Sequence, residues 1–288
     1  MSTVTPSSRR ILVTGANKGI GKAICERLLQ EWDDTYVLLG SRDLQRGEEA
    51  KADLINSLGD SCKDRLQVIH LDTSSDESVQ KAAESISGDD KLYGIINNAG
   101  IGFGRSMEET VNTNYFGPRR VNDAFGKHLK RPGGRIVNVS SASGPIFLQN
   151  LSDASLKGKL NQAWTIPGGL EELDTIARTI KGGNEYGASK ALLNAYTFLY
   201  AKANKDLIIN AITPGYIKTD LTAGSGASNP PSKGAVPPCW LMMDEDVAHQ
   251  PTGRYYGSDC VRSPMDCYRG PGEEPYVNND DLVEVSKN

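Results

Sequence analysis

The sequence predicts an α/β fold, a doubly wound parallel sheet with helices on both faces. Short apolar runs alternate with amphipathic stretches from Arg9 to beyond Ala211, the pattern of right-handed crossovers on a parallel sheet. A glycine-bearing turn joins the first apolar run to the first helical stretch, as expected where such a sheet opens onto its ligand edge. The chemistry-bearing residues follow strand ends of this one alternation, so a single domain over residues 1–288 is expected, with its core at 9–261.

Ile11-Leu12-Val13 is the first strand, and Ile20 to Gln30 has helical spacing through Ile24, Leu28 and Leu29. Tyr36-Val37-Leu38-Leu39 reads as the second strand and Leu44 to Leu58 as the second helix. Leu66 to Leu71 is the third strand, followed by a helix from Asp76 to Ser87. Tyr93 to Ile96 is the fourth strand, and one long helix is expected from about Glu109 to Leu129, before Pro132-Gly133-Gly134. Arg135 to Val139 is the fifth strand, Tyr186 to Ala203 a long helix, Leu207 to Ile212 the sixth strand and Gly253 to Tyr256 an edge strand.

Three segments break the rhythm. Residues 145–183 form an insertion, polar and irregular, with a short helix expected around Glu171 to Ile180. Thr222 to Pro238, rich in Gly, Ser and Pro, reads as a mobile substrate loop. Residues 270–288 carry acidic clusters and few apolar residues, and read as disordered or loosely docked.

Composition excludes several classes of function. A net charge of -4 argues against nucleic acid or an anionic membrane as the main partner. No run of 18 apolar residues is present, so no spanning helix is expected. Met1 to Arg10 lacks the apolar stretch of a secretory signal. The five cysteines, Cys25, Cys62, Cys239, Cys260 and Cys267, are odd in number and contain no CxxC pair. A zinc site or disulfide scaffold is not expected, and a reducing, cytoplasmic setting fits.

Thr14-Gly15-Ala16-Asn17-Lys18-Gly19-Ile20-Gly21 lies between first strand and first helix. Glycines there permit a tight turn and close approach to a ligand, and the helix N-terminus offers N–H groups to a pyrophosphate. This makes a Rossmann-like dinucleotide site, with Gly15, Asn17, Lys18, Gly19 and Ile20 as candidate contacts. An NAD site carries Asp or Glu at the end of the second strand. Here neutral Ser41 holds that place and Arg42 follows. With Lys18 nearby, two cations suit a 2′-phosphate and favour NADP(H). Asp43 weighs against this unless it points outward or pairs with Arg46. Asp72 and Thr73 after the third strand, and Asn98, Ala99 and Gly100 after the fourth, are further candidates. Pro214, Gly215 and Thr219 follow the sixth strand and suit the nicotinamide end.

Tyr186 and Lys190 are four residues apart, on one face of a helix. A nearby cation lowers the cost of forming phenolate, which suits a phenol to proton exchange with a developing alkoxide. Tyr186 and Lys190 are also expected at the cofactor, with Lys190 holding the nicotinamide ribose. Ser140, Ser141 and Ser143 compete as the hydroxyl that holds the substrate oxygen. Asn114 is expected to hold a water that connects Lys190 to solvent. Hydride chemistry of this kind requires no metal.

From about Arg9 to Val261 the chain resembles the short-chain dehydrogenase/reductase family. The glycine turn, the run Asn97 to Gly100, Ser141, and Tyr186 with Lys190 carry the resemblance. It implies Asn114, Ser141, Tyr186 and Lys190 as a catalytic tetrad. The pair Asn17-Lys18, Ser41-Arg42-Asp43 with Arg46-Gly47, and Thr113 to Gly117 resemble the carbonyl reductase branch, as does the 45-residue gap from Ser141 to Tyr186. The branch implies NADPH and a monomer, because the insertion covers a surface that other members use to oligomerise. With no cationic anchor evident near the pocket, an apolar aldehyde, ketone or quinone is expected. The alternatives are an NADP-dependent alcohol dehydrogenase of specialised metabolism and a non-catalytic NADP-binding regulator. Phe147, Trp164, Ile166, Tyr216 and Trp240 are candidate pocket residues, and the part after Arg262 has no assigned role.

Overall fold

A computed structural model of the chain describes residues 8–86, 91–181 and 183–278. Seven strands form one sheet: β1 (Arg9–Val13), β2 (Thr35–Ser41), β3 (Leu66–His70), β4 (Gly94–Asn97), β5 (Arg135–Val139), β6 (Ile208–Ile212) and β7 (Tyr255–Tyr256). Their order is β3-β2-β1-β4-β5-β6-β7, and every pairing is parallel. The chain winds outward from β1 in one direction and from β4 in the other. This reversal opens a crevice at the carboxyl ends of β1 and β4, where such sheets bind ligands.

The helices are α1 (Gly19–Glu31), α2 (Leu44–Leu58), α3 (Asp76–Glu84), α4 (Met107–Asn114), α5 (Phe116–Phe125), α6 (Ser143–Asn150), α7 (Ala154–Asn161), α8 (Gly169–Thr179), α9 (Glu185–Ala203) and α10 (Pro231–Met243). Both faces of the sheet are covered, as the largely buried, apolar-rich strands require. Along β1, Leu12 joins a core with Tyr115, Phe125 and Tyr196, while Ile11 and Val13 join a second with Ile24, Leu28 and Met242. This is the period-two division of a strand buried on both sides.

Several boundaries differ from expectation for identifiable reasons. The long helix expected over 109–129 is two helices, α4 and α5, with a break at Tyr115 (φ -111°). Pro118 has no N–H to give the carbonyl of Asn114, so the ladder fails there. The expected loop 222–238 ends early, because α10 takes up residues 231–243. Pro237 and Pro238 lie inside that helix and are buried. Tertiary packing against α1 and β4 overrides two lost backbone bonds. On that side a Cβ on Gly94 would lie 2.3 Å from Met242 Sδ.

The insertion is more ordered than its sequence suggests. Asp153 caps α7 by accepting the Leu156 N–H at 3.0 Å, and Leu160, Ile166 and Leu173 join the larger core. The tail is docked as far as it is described. Arg269, 8% exposed, donates to both carboxylate oxygens of Asp259, at 2.7 and 3.1 Å, and to the carbonyls of Glu273 and Glu274. The core therefore continues past residue 261 through Ser263, Met265 and Arg269. The rest of the expected tail, 279–288, and Ser87 at the expected end of the third helix, lie outside the described residues. The edge strand is only Tyr255–Tyr256, two residues in register with Ala211 and Ile212.

Candidate active site

The glycine turn is stapled to the end of β4. Thr14 Oγ1 accepts the N–H groups of Asn98 and Ala99, both at 3.0 Å. Asn98 Nδ2 donates back to the carbonyls of Thr14 and Gly15 at 3.0 and 3.2 Å. Asn98 thus shapes the turn with its amide. Gly15 has φ +62°, and a Cβ there would lie 2.8 Å from Ala99 Cα. A Cβ on Gly21 would lie 2.4 Å from the Gly15 carbonyl oxygen. No side chain caps the N-terminus of α1, which begins at Gly19 directly after Asn17 and Lys18. A turn this close to bare backbone, with uncapped N–H groups, fits a pyrophosphate.

At the edge of β2, Ser41 is buried and its hydroxyl donates to the Asp43 carbonyl at 2.7 Å. Its contribution to the groove is small size, since the hydroxyl turns inward. Asp43 caps α2 by accepting the Arg46 N–H at 3.1 Å, and its other oxygen is 3.7 Å from Arg46 Nε. That removes the carboxylate as a competitor, leaving Arg42 exposed at this edge. Asp72 accepts the N–H and hydroxyl of Ser74 at 2.9 and 2.6 Å. Partial burial would raise its pKa, but the Ser74 bonds, Arg42 and His70 outweigh it and hold it below the usual value. Thr73 is buried against Gly117. These residues fit the adenosine end of NADP(H), with the cations Arg42 and Lys18 available to a 2′-phosphate.

α9 begins at Asn184, whose Oδ1 accepts the Gly187 N–H at 2.8 Å. One turn separates Tyr186 from Lys190, and Lys190 Nζ lies 5.7 Å from the centre of the Tyr186 ring. The ammonium is buried and donates to the Val139 carbonyl at the end of β5, at 2.9 Å. Desolvation lowers its pKa to about 8. Tyr186 behaves otherwise than the isolated pair suggests. Desolvation raises its pKa, and the countering influence is its hydrogen bond with the Ser141 hydroxyl. Within the protein's own groups the cost of burying phenolate exceeds the help from the Ser141 hydrogen bond.

The three serine hydroxyls point in different directions. Ser140 is buried with its hydroxyl on the Lys190 carbonyl at 3.4 Å. Ser143 lies beside Ser141, which accepts its N–H at 3.1 Å. Ser141 alone of the three meets the Tyr186 phenol. Asn114 is fully buried and clasps Ile101, accepting its N–H at 2.9 Å and donating to its carbonyl at 3.0 Å. It also donates to Ser189 Oγ at 3.0 Å. The Asn114 side-chain amide is therefore engaged on both sides. Gly100 packs here, with Asn114 Oδ1 and Lys190 Nζ at 3.1 and 3.8 Å from where its Cβ would be.

Beyond β6, Pro214 leads to Gly215 (φ +91°), and Thr219 begins a short turn against Gly19. Two residues near the site were not legible in the sequence as part of it. Phe103 is 66% exposed, with its ring 5.0 Å from that of Tyr186; a lone aromatic in a glycine-rich loop was its only signal. Tyr255 is buried, bonded to Thr213, and electrostatically coupled to both Tyr186 and the tail residue Tyr268. Among the expected pocket residues, Phe147 and Ile166 are buried in the core, Trp164 packs on Phe198 at 5.4 Å and Trp240 on Tyr256 at 5.3 Å. They hold the insertion and α10 in place. Tyr216 is half exposed, its hydroxyl donating to the Ser225 carbonyl.

Comparison with known proteins agrees with this geometry. Residues 9–152 match the family model for short chain dehydrogenase. The chain is 34% identical to a (+)-neomenthol dehydrogenase of Arabidopsis thaliana, over 88% of this chain and 95% of the relative. It is 31% identical to Carbonyl reductase [NADPH] 3 of Rattus norvegicus, over 89% and 98%. The structure of menthone neomenthol reductase from Mentha piperita superposes with a TM-score of 0.70 at 26% identity, over 88% of this chain and 99% of the other. Turn, sheet order and sequence kinship agree, and the chain belongs to the short-chain dehydrogenase/reductase family, in its carbonyl-reductase-like branch.

Proposed function

We propose that the protein is an NADPH-dependent carbonyl reductase that converts a small apolar aldehyde, ketone or quinone to an alcohol. The observation that carries this is the buried Lys190 ammonium beneath the Tyr186 ring, with Ser141 on the phenol. The rat relative named as an NADPH carbonyl reductase supports cofactor and reaction alike. When bound, NADPH supplies the hydride.

The chain's own residues do the rest. Gly15, Asn17, Gly19 and Ile20 would hold the pyrophosphate, Arg42 and Lys18 the 2′-phosphate, and Asp72 and Thr73 the adenine side. Ala99, Gly100, Pro214, Gly215 and Thr219 would line the nicotinamide end. Ser141 donates a hydrogen bond to the substrate oxygen, and Tyr186 gives that oxygen its proton as negative charge develops. Lys190 supplies positive charge next to the donor and is held in place by Val139. Asn114 fixes the loop at Ile101 against α9, which keeps Gly100 close to Lys190.

A single catalytic domain over residues 1–288 is supported by the one sheet, since its strand ends and the helices packed on it carry every residue named. A monomer is supported by the insertion, which is tied to α5. Tyr115 donates to Asp174 of α8 at 2.7 Å, and Arg119 pairs with the same carboxylate at 3.1 Å. A cytoplasmic setting is supported by five free thiols. No helix among the described residues is long and apolar enough to cross a membrane. The same residues run the reverse oxidation, the direction named for the Arabidopsis relative.

The test is NADPH oxidation with quinones, aromatic aldehydes and cyclic ketones, compared with NADH. Turnover at least about tenfold faster with NADPH is expected, a difference of ~1.4 kcal/mol. Turnover preferring NADH would overturn the cofactor reading. Cofactor binding without turnover of any carbonyl would favour a non-catalytic binder.

A further inference from the structure

Asp220 has no part in the site as drawn so far. In the folded chain its Oδ2 lies 2.5 Å from Lys18 Nζ, across 202 residues of sequence. The segment that carries it is seated across the mouth of the cofactor groove. On one lip, Thr219 Cγ2 would be 3.5 Å from a Cβ on Gly19. On the opposite lip, Leu221 packs so closely on Gly102 that a Cβ there would lie 2.6 Å from Leu221 Cγ. Thr222 fixes the turn between them, accepting the Thr219 N–H at 2.9 Å and donating to the Ile217 carbonyl at 2.6 Å. The fold of this loop, and not a chance meeting of two long side chains, holds Asp220 beside Lys18. Both side chains stay open to solvent, at 61% for Lys18 and 79% for Asp220, so an incoming anion reaches them.

We propose that Asp220 is a specificity-determining residue, a built-in counter-charge that competes with the cofactor's 2′-phosphate for Lys18 and limits the preference for NADP(H) over NAD(H). This rests on the reading of Lys18 as a phosphate contact. The 2′-phosphate carries close to two negative charges at neutral pH. To engage Lys18 it must displace the carboxylate, which then remains close to the bound anion. NAD(H) lacks that phosphate and makes no such demand. An exposed ion pair is worth roughly 1.5-fold to fivefold in an equilibrium constant. Asp220 weakens NADP(H) binding by a factor of that size and leaves NAD(H) binding unchanged. Salt screens the effect, because both charges are exposed.

The experiment is direct binding of NADPH and NADH, followed by nicotinamide fluorescence, to the full chain and its Asp220→Asn, Asp220→Glu, Lys18→Ala and doubly substituted forms. Thermal melting is followed in parallel. Asp220→Asn is expected to bind NADPH about threefold tighter, with NADH unchanged. Asp220→Glu keeps the charge and should match the parent. The gain should vanish in the Lys18→Ala background and shrink at high salt. An unchanged NADPH affinity in Asp220→Asn, an equal gain for both cofactors, or a gain that survives without Lys18 would overturn the proposal. If Lys18→Ala loses NADPH affinity while Asp220→Asn gains none, only the role of Asp220 falls. If Lys18→Ala keeps the full NADPH preference, the Lys18 reading itself falls and takes the role of Asp220 with it.

Discussion

The ring of Phe103 lies 5.0 Å from that of Tyr186, tilted by 52°. One face of the proposed proton donor is thus set by an aromatic side chain on the loop after β4. Phe103 is 66% exposed, so it has surface left for a substrate. An aromatic contact of this type contributes about 0.5–1.5 kcal/mol. Phe103→Ala should therefore raise KM for aromatic ketones about twofold to tenfold, with little change for small aliphatic aldehydes. Thermal stability should be kept. Equal KM values for both substrate classes would remove Phe103 from the substrate wall.

Tyr186→Phe removes the hydroxyl and keeps the ring. Loss of a positioned general acid costs about 10²-fold to 10⁴-fold in rate. Turnover should fall by that factor, while NADPH affinity measured by fluorescence stays within about twofold, a change under 0.5 kcal/mol. Retained turnover would mean that another group delivers the proton.

Lys190 makes stability depend on alkaline pH. Burial lowers its pKa from 10.5 to about 8, so between those values the unfolded chain binds more protons than the folded one. Stability from this group therefore rises as pH increases through that window. Below it, the folded protein holds a buried charge at a cost. In urea unfolding, Lys190→Met should gain most over the parent near neutral pH. The difference should shrink towards pH 10.5, the unfolded value. A difference independent of pH would show that the ammonium is not desolvated. The same variant should lose turnover, since the charge beside Tyr186 is gone.

Arg269 and Asp259 govern the docked tail. The arginine holds the Asp259 carboxyl down to about 2, against the partial burial that would raise it and an ordinary value of 3.8. The sign is that of a depressed carboxylate. Its stabilisation is complete above the unfolded value and is lost as pH falls through the folded one. Arg269→Met leaves a partly buried carboxylate without its partner, which costs about 3 kcal/mol. Faster proteolysis of the segment after residue 258 is expected, with a lower urea midpoint. Unaltered cleavage would mean that the tail is held by other contacts.

Much of this architecture is legible from local pattern. The strands were placed to within about two residues, the usual uncertainty of such ends, because each is an apolar run between turn signals. Tyr186 and Lys190 were legible because helical spacing alone puts them on one face. The two-helix break at Tyr115 was also written in the chain, in Pro118, but the apolar spacing on either side masked it. Only the end of α10 was legible, where Cys239 to Met243 resembles the closing helix of the carbonyl reductase branch; its start was not. Its prolines and glycine signal a loop, and only burial against α1 and Gly94 makes it a helix.

By itself, the sequence determined the order of strands and helices, the glycine turn, the reactive pair and the cationic edge. Each is a local property, set by side-chain periodicity, missing Cβ atoms or residue type. The tertiary structure alone decided that Ser141 and not Ser140 meets the phenol, and that Asp43 caps a helix. It likewise brought Phe103 onto Tyr186, set Asp220 across from Lys18 and tied the tail back through Arg269. Those are distances between segments far apart in the chain, and they arise only when the sheet brings the ends of β1, β4, β5 and β6 to one edge.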